Sequence, residues 1–142
     1  MNVLCGCIES DGAALTVQRA DTSDAAGLRV LALRLDELSV LEEDWDSYGG
    51  FPPTARAVAA ASRLMIEAVA VTGEAPDAVM PFPNGGLQVI WARGAHELQV
   101  DVGPDGCLGY LEIQRGAGDP DMREADGVSL RDIVAYVGQL SR

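Results

Sequence analysis

The chain has no lysine. Its 10 cations are all arginine, set against 22 Asp and Glu in 142 residues, for a formal net charge of −12. The plainest source of an arginine-only set is a GC-rich genome, and the plainest meaning of the acidity is a well-solvated surface. The shortage of positive charge still excludes whole classes of function. Affinity for DNA or RNA comes mainly from cations that neutralise phosphates, and attachment to anionic membranes from basic segments. Neither direct nucleic-acid binding nor membrane binding is expected. The complementary partner is a basic protein surface, such as that of a nucleic-acid-binding protein or complex.

Other residue types are scarce as well. There is one histidine, and the three cysteines, Cys5, Cys7 and Cys107, make an odd count. Cys5 and Cys7 are too close to bridge comfortably within one strand, so free thiols and a reducing compartment are expected. The run Met1 to Ile8 has no basic residue and only a short apolar stretch, which does not read as a signal peptide. No segment approaches the ~18 consecutive apolar residues of a membrane-spanning helix. The expected location is cytoplasmic, in the protein's own cell or in a host.

The same scarcity limits catalysis. Cys5 and Cys7 with Cys107 and His96 would supply four zinc ligands, but structural zinc pairs are usually separated by two to four residues. A Cys107–His96 nucleophilic pair has no local motif around it. Asn84-Gly85-Gly86 lacks the following helix and lysine of a phosphate loop. The acids follow no calcium-loop spacing. No catalytic residue, metal ligand or cofactor is assigned. A metal-dependent hydrolase using acidic residues stands as the alternative, and a structural or homodimeric accessory protein as another.

What the sequence does contain is an ordinary globular composition, 48% hydrophobic and 23% charged. The length is that of a single domain over 1–142, large enough to bury a core without staples. Asp11-Gly12 between two apolar runs predicts an N-terminal hairpin or arm over 1–20. A helical pair is expected over 24–73. Thr22-Ser23-Asp24 offers capping chemistry, and Leu28, Leu31, Leu35, Leu38 and Leu41 recur at spacings of three and four. Val30 and Leu33 widen that stripe, so burial on more than one side is expected. The first helix should end near Glu43. The second follows Pro52-Pro53 with Thr54 as its N-cap, an alanine-rich stripe from Ala57 to Val69, and Gly73 as its stop.

An antiparallel sheet is expected over 79–114. Val79 to Phe82 reads as an edge strand, Asn84-Gly85-Gly86 as a turn, and 87–93, 97–102 and 107–114 as strands. Leu98, Val100 and Val102 alternate with Glu97, Gln99 and Asp101, giving one buried and one wet face. The span from Gly116 to Gly127 reads as a polar loop with four acids. Ser129 to Asp132 resembles a capping box opening a terminal helix over 128–141. The fold class is α+β: a meander of about four strands, extended by an N-terminal hairpin, with two to three helices on one face.

The densest chemistry lies between Leu35 and Thr54, where six carboxylates and three aromatics surround a Gly-Gly/Pro-Pro turn. In one reading Trp45 and Tyr48 pin a joint between two helices against the core. Gly49 and Gly50 then supply unusual backbone angles, and Asp46 hydrogen-bonds the turn. In the other, aromatics ringed by acids form an anchor for an Arg- or Lys-rich partner. The two coexist if Trp45 is buried while Tyr48 and Phe51 are not. The proposed surface is Glu42, Glu43, Asp44, Asp46, Tyr48 and Phe51, joined by Asp119, Asp121 and Asp126.

This pattern also carries a resemblance. Leu35-x-x-Leu38, then Glu42-x-x-Trp45-Asp46-x-Tyr48-Gly49, Pro52-Pro53-Thr54 and a helix come first. A proline linker, Asn84-Gly85-Gly86-Leu87 and a strand with Trp91 follow. The whole resembles a family of small, largely uncharacterised bacterial and phage proteins with a Trp-Asp-x-Tyr-Gly motif. The match runs from about Leu35 to Tyr110. Ser47 and Gly50 stand here where glycine and alanine are usual there. The resemblance implies an α+β domain, brings no activity or catalytic residues, and favours an interaction role. The functional expectation is a non-enzymatic acidic binding protein. It would inhibit or neutralise a basic, nucleic-acid-associated partner, as a phage anti-defence inhibitor or an antitoxin-like protein does. A homodimer is compatible with it.

Overall fold

The computed structural model describes residues 22–140. The elements run α1 (Thr22–Ser39), α2 (Ala55–Thr72), β1 (Ala78–Pro81), β2 (Leu87–Arg93), β3 (His96–Val102), β4 (Leu108–Gln114), β5 (Asp121–Val128) and α3 (Leu130–Gln139). The five strands form one antiparallel sheet in sequence order, β1-β2-β3-β4-β5. With the helices packed on one face, this is the expected α+β arrangement. The expected hairpin over 1–20 lies outside the described residues.

Strand register explains which face is covered. Leu87, Val89 and Trp91 stand opposite Val102, Val100 and Leu98, and Val102 stands opposite Leu108. Because side chains alternate along a strand, these residues share one face, and all are buried. The helices fill the space above with Leu28, Leu31, Leu35 and Leu38 of α1, the stripe Ala57, Ala60, Ala61, Leu64, Met65, Ala68 and Val69 of α2, and Ile133 and Val137 of α3. A buried Val, Leu or Ile contributes about 1.5–3 kcal/mol. The alanines of α2 let it lie close to its neighbours. On the opposite face Gln88 donates to Gln99 (3.3 Å) and Asp101 (3.2 Å), and Gln99 donates to Glu97 (2.6 Å). The alternation of β3 thus separates a dry face from a polar ladder.

Helix ends follow local chemistry. Thr54 caps α2 by accepting from the Ala57 N–H at 3.0 Å, and Gly73 ends it in the left-handed region at φ 76°. Ser129 caps α3 by accepting from the Asp132 N–H. On α3, Tyr136 packs at 4.9 Å between ring centroids against Tyr110 of β4.

Three expectations are corrected. First, α1 stops at Ser39 rather than near Glu43. Val40 and Leu41 donate back to Glu37 and Leu38, three residues earlier, and the Ser39 hydroxyl donates to the Asp36 carbonyl at 2.8 Å. These tight bonds close the last turn. Second, Val30 and Leu33 are not a second buried side: they are 66% and 61% exposed. Third, the polar loop over 116–127 holds β5, which pairs with β4 from Asp121 opposite Gln114 to Val128 opposite Leu108. A bulge at Leu108/Gly109 interrupts that ladder, and a side chain at Gly109 would collide with the Asp126 carboxylate.

The linker between α2 and β1 is held by an arrangement that spacing does not reveal. Arg93, at the end of β2, pairs with Glu74 at 2.8 Å and Asp77 at 2.7 Å and donates to the Ala75 carbonyl at 2.8 Å. Asp77 in turn accepts from the Ala92 N–H, and the fully buried Trp91 donates its indole N–H to the Glu74 carbonyl at 3.0 Å. Burial opposes the Arg93 charge, but the Glu74 and Asp77 carboxylates outweigh it and raise the guanidinium pKa above its ordinary value.

Candidate functional site

The segment between α1 and α2 is a folded loop built on its own carboxylates. Asp44 and Ser47 take positive φ, 64° and 65°, as does Gly49 at 80°. Short polar side chains tolerate this region when they bond locally. The Asp44 carboxylate accepts from the Gly49 N–H at 2.6 Å, and Asp46 accepts from the N–H groups of Tyr48 and Gly50, each at 2.9 Å. The Asp44 N–H closes the loop on the Gly50 carbonyl at 2.7 Å. Backbone donation from Tyr48 and Gly50 lowers the Asp46 pKa below its ordinary 3.8. Gly50 lets the Asp46 carboxylate lie close: a side chain there would sit 2.7 Å from it, and the carboxylate would have to shift.

The loop is tied to the sheet as well as to itself. Trp45 donates its indole N–H to the Phe51 carbonyl at 2.8 Å. Phe51 makes a parallel bridge to Asn84 and donates its N–H to the Pro83 carbonyl at 2.8 Å. Thr54 donates its N–H to Gly85 and its hydroxyl to the Pro104 carbonyl at 2.6 Å, while capping α2. Two turns of the sheet, between β1 and β2 and between β3 and β4, therefore frame the joint. Nothing in the one-dimensional pattern of Asn84-Gly85-Gly86 or Gly103-Pro104-Asp105-Gly106 shows this. Those turns converge on the joint across separations of about 30 to 50 residues.

The named residues fall into distinct places. Asp44 and Asp46 turn carboxylate oxygens onto loop amides, so their first task is structural. Glu42 and Glu43 are exposed. Trp45 is half-buried and lies outside the core cluster, so the joint is pinned by its indole hydrogen bond rather than by core packing. Tyr48 does not pin the joint: it is 91% exposed, and Phe51 is 60% exposed. Both sit on backbone that the loop bonds hold in place. The other acids are elsewhere. Asp119 and Asp121 lie at the far end of the sheet, about 20 Å away along seven-residue strands. Asp126 lies at the near end, opposite Gly109, but on β5, three strands from β2 and so about 14 Å to the side. They do not complete one patch with Glu42, Glu43, Tyr48 and Phe51.

The cysteine and histidine positions are also distributed. His96 opens β3 opposite Arg93 and Gln114, whereas Cys107 precedes β4 at the other end of the same strands. They are not a pair. Cys107 is disulfide-bonded, which corrects the expectation of free thiols; Cys5 and Cys7 lie outside the described residues. Among the described residues no group of three or more His, Cys, Asp or Glu is arranged to hold a metal ion. Among the same residues no helix is long and apolar enough to cross a membrane. No family model, curated protein or solved structure matches the chain, so the likeness of the Trp45–Gly49 pattern to a family stands on its residues alone.

Proposed function

We propose that this chain is a non-enzymatic acidic binding protein. Its target is a basic, nucleic-acid-associated protein, which it inhibits or neutralises in the manner of a phage anti-defence inhibitor or an antitoxin. The observation that carries this reading is the presentation of Tyr48. A large aromatic is 91% exposed at the tip of a loop whose backbone is tied down by its own aspartates. Leaving such a side chain in water gains nothing for folding. A partner that covers it gains a buried aromatic without first ordering the loop. Phe51 and the exposed Glu42 and Glu43 lie close in sequence, and an Arg side chain satisfies both features by stacking on a ring while pairing with a carboxylate.

The net charge of −12 supplies the long-range attraction to such a partner. The proposed site of action is the cytoplasm of the bacterium or of a phage host, where nucleic-acid-associated proteins act. The disulfide at Cys107 removes the thiol argument for that compartment, which rests instead on the nucleic-acid-associated partner that the charge favours. The test is affinity capture from a host lysate on immobilised protein, in parallel with a Tyr48→Ala variant. A basic protein retained by the wild type and lost from the variant supports the proposal. A captured protein held equally by both, or one that is not basic, contradicts it.

A further inference from the structure

Helix α1 carries two apolar stripes on opposite sides. Leu28, Leu31, Leu35 and Leu38 face the core. At about 100° per residue, Val30 and Leu33 lie together roughly half a turn away, and Val40 follows just beyond the helix end at Ser39. They are 66%, 61% and 75% exposed. The spacing of three between Val30 and Leu33 belongs to the seam along which two helices pack. α1 is also the outer helix of the layer, with contacts to α2 and β1. Arg29 and Asp36, both exposed, flank this outer stripe on the same side, two turns apart.

We propose that α1 pairs antiparallel with α1 of a second copy of this chain, about a twofold axis between Val30 and Leu33. The commitment to a second copy rests on charge. A twofold axis perpendicular to two antiparallel helices keeps residues of one flank on the same flank of the pair. Arg29 of each copy then meets Asp36 of the other, while Val30 of each copy packs against Leu33 of the other. Opposite charges at these flanking positions set partner and orientation in paired helices. A parallel pairing, about an axis along the helices, would put Arg29 and Asp36 of the two copies on opposite flanks and leave them unpaired. Arg34 and Glu37 pair within the chain at 3.6 Å, and Arg34 also donates to the Val79 carbonyl; Glu37, its side chain 72% exposed, lies in helical angle between Val30 and Leu33 and keeps the apolar contact short. One helix per copy is a small interface, and micromolar or weaker association is the consequence.

Sedimentation of the full chain from low micromolar to millimolar concentration tests this, with near-identical far-ultraviolet spectra as the check on folding. The wild type is expected to show a monomer–dimer equilibrium. Leu33→Asp, at an exposed position, should weaken it by about tenfold or more. Arg29→Asp or Asp36→Arg alone should weaken it by about two- to fivefold, and the double reversal should restore it. Tyr48→Ala, which probes the other surface, should leave it unchanged. A wild type that stays monomeric at millimolar concentration would overturn the proposal. So would a dimer indifferent to Leu33→Asp, or one that the double reversal fails to restore.

Discussion

Asp46 shows how one residue type serves two ends. Its carboxylate lies in an acidic, solvent-exposed segment, yet the two amide donors from Tyr48 and Gly50 make it a structural acceptor. Its folded pKa is depressed below 3.8, so its contribution is fully present above that value and is lost as pH falls through the lower folded value. Urea midpoints measured stepwise into acid should therefore converge for the wild type and Asp46→Asn below about pH 4, after a constant gap at neutral pH. A gap that widens in acid would contradict the assignment. The sequence put Asp46 in a turn but could not say which amides it caps. That depends on the positive φ of Asp44 and Ser47, which no spacing rule anticipates. Tyr48 is the clearest residue-scale difference, expected in one reading as a packing residue and found almost wholly in water.

Elements with strong period or punctuation were readable in advance. The alternation of β3, the Thr54 cap and the Gly73 stop all stand where the residue types place them. β5 was not readable, because Asp121 to Gly127 carries little apolar alternation. Among the described residues it is an edge strand that owes its form to pairing with β4, and the partner ladder is invisible in its own residues. The Arg93 clip was missed for a related reason. Glu74, Asp77 and Arg93 are far apart in sequence, and only the β1–β2 pairing brings them together. Arg93→Ala should cost about 2–4 kcal/mol in urea unfolding, since it strips partners from Glu74, Asp77 and the Ala75 carbonyl. Arg93→Lys should recover less than half of that, because an ammonium cannot reproduce the planar fork.

At the scale of the molecule, charge and shape are divided between surfaces. Acids dominate the composition, but those of the joint and those of β5 and its preceding loop are well separated, so they cannot act on one compact partner patch. Glu42 and Glu43 can be reversed to Arg without touching the loop bonds, which use Asp44 and Asp46. With the captured partner in hand, the double reversal should slow association several-fold and flatten its dependence on salt, while dissociation changes little. Equal association rates for wild type and variant across a salt series would remove the steering role of these acids. The α+β class and the sheet order followed from the succession of elements. The separation of the acidic groups did not, since it depends on strand direction and sheet position.

The two tryptophans, both structural hydrogen-bond donors, also make the protein its own pair of optical probes. Trp91 is sealed in the core with its N–H on the Glu74 carbonyl, whereas Trp45 sits half-buried in the joint with its N–H on Phe51. Their indoles therefore differ in solvent contact and emit from different environments. A blue-shifted component belongs to the packed sheet and a redder, more quenchable one to the loop. Replacing Trp45 by Phe leaves a chromophore that reports cooperative unfolding. The difference spectrum isolates one that lies three residues from Tyr48 and responds to events at the exposed tip.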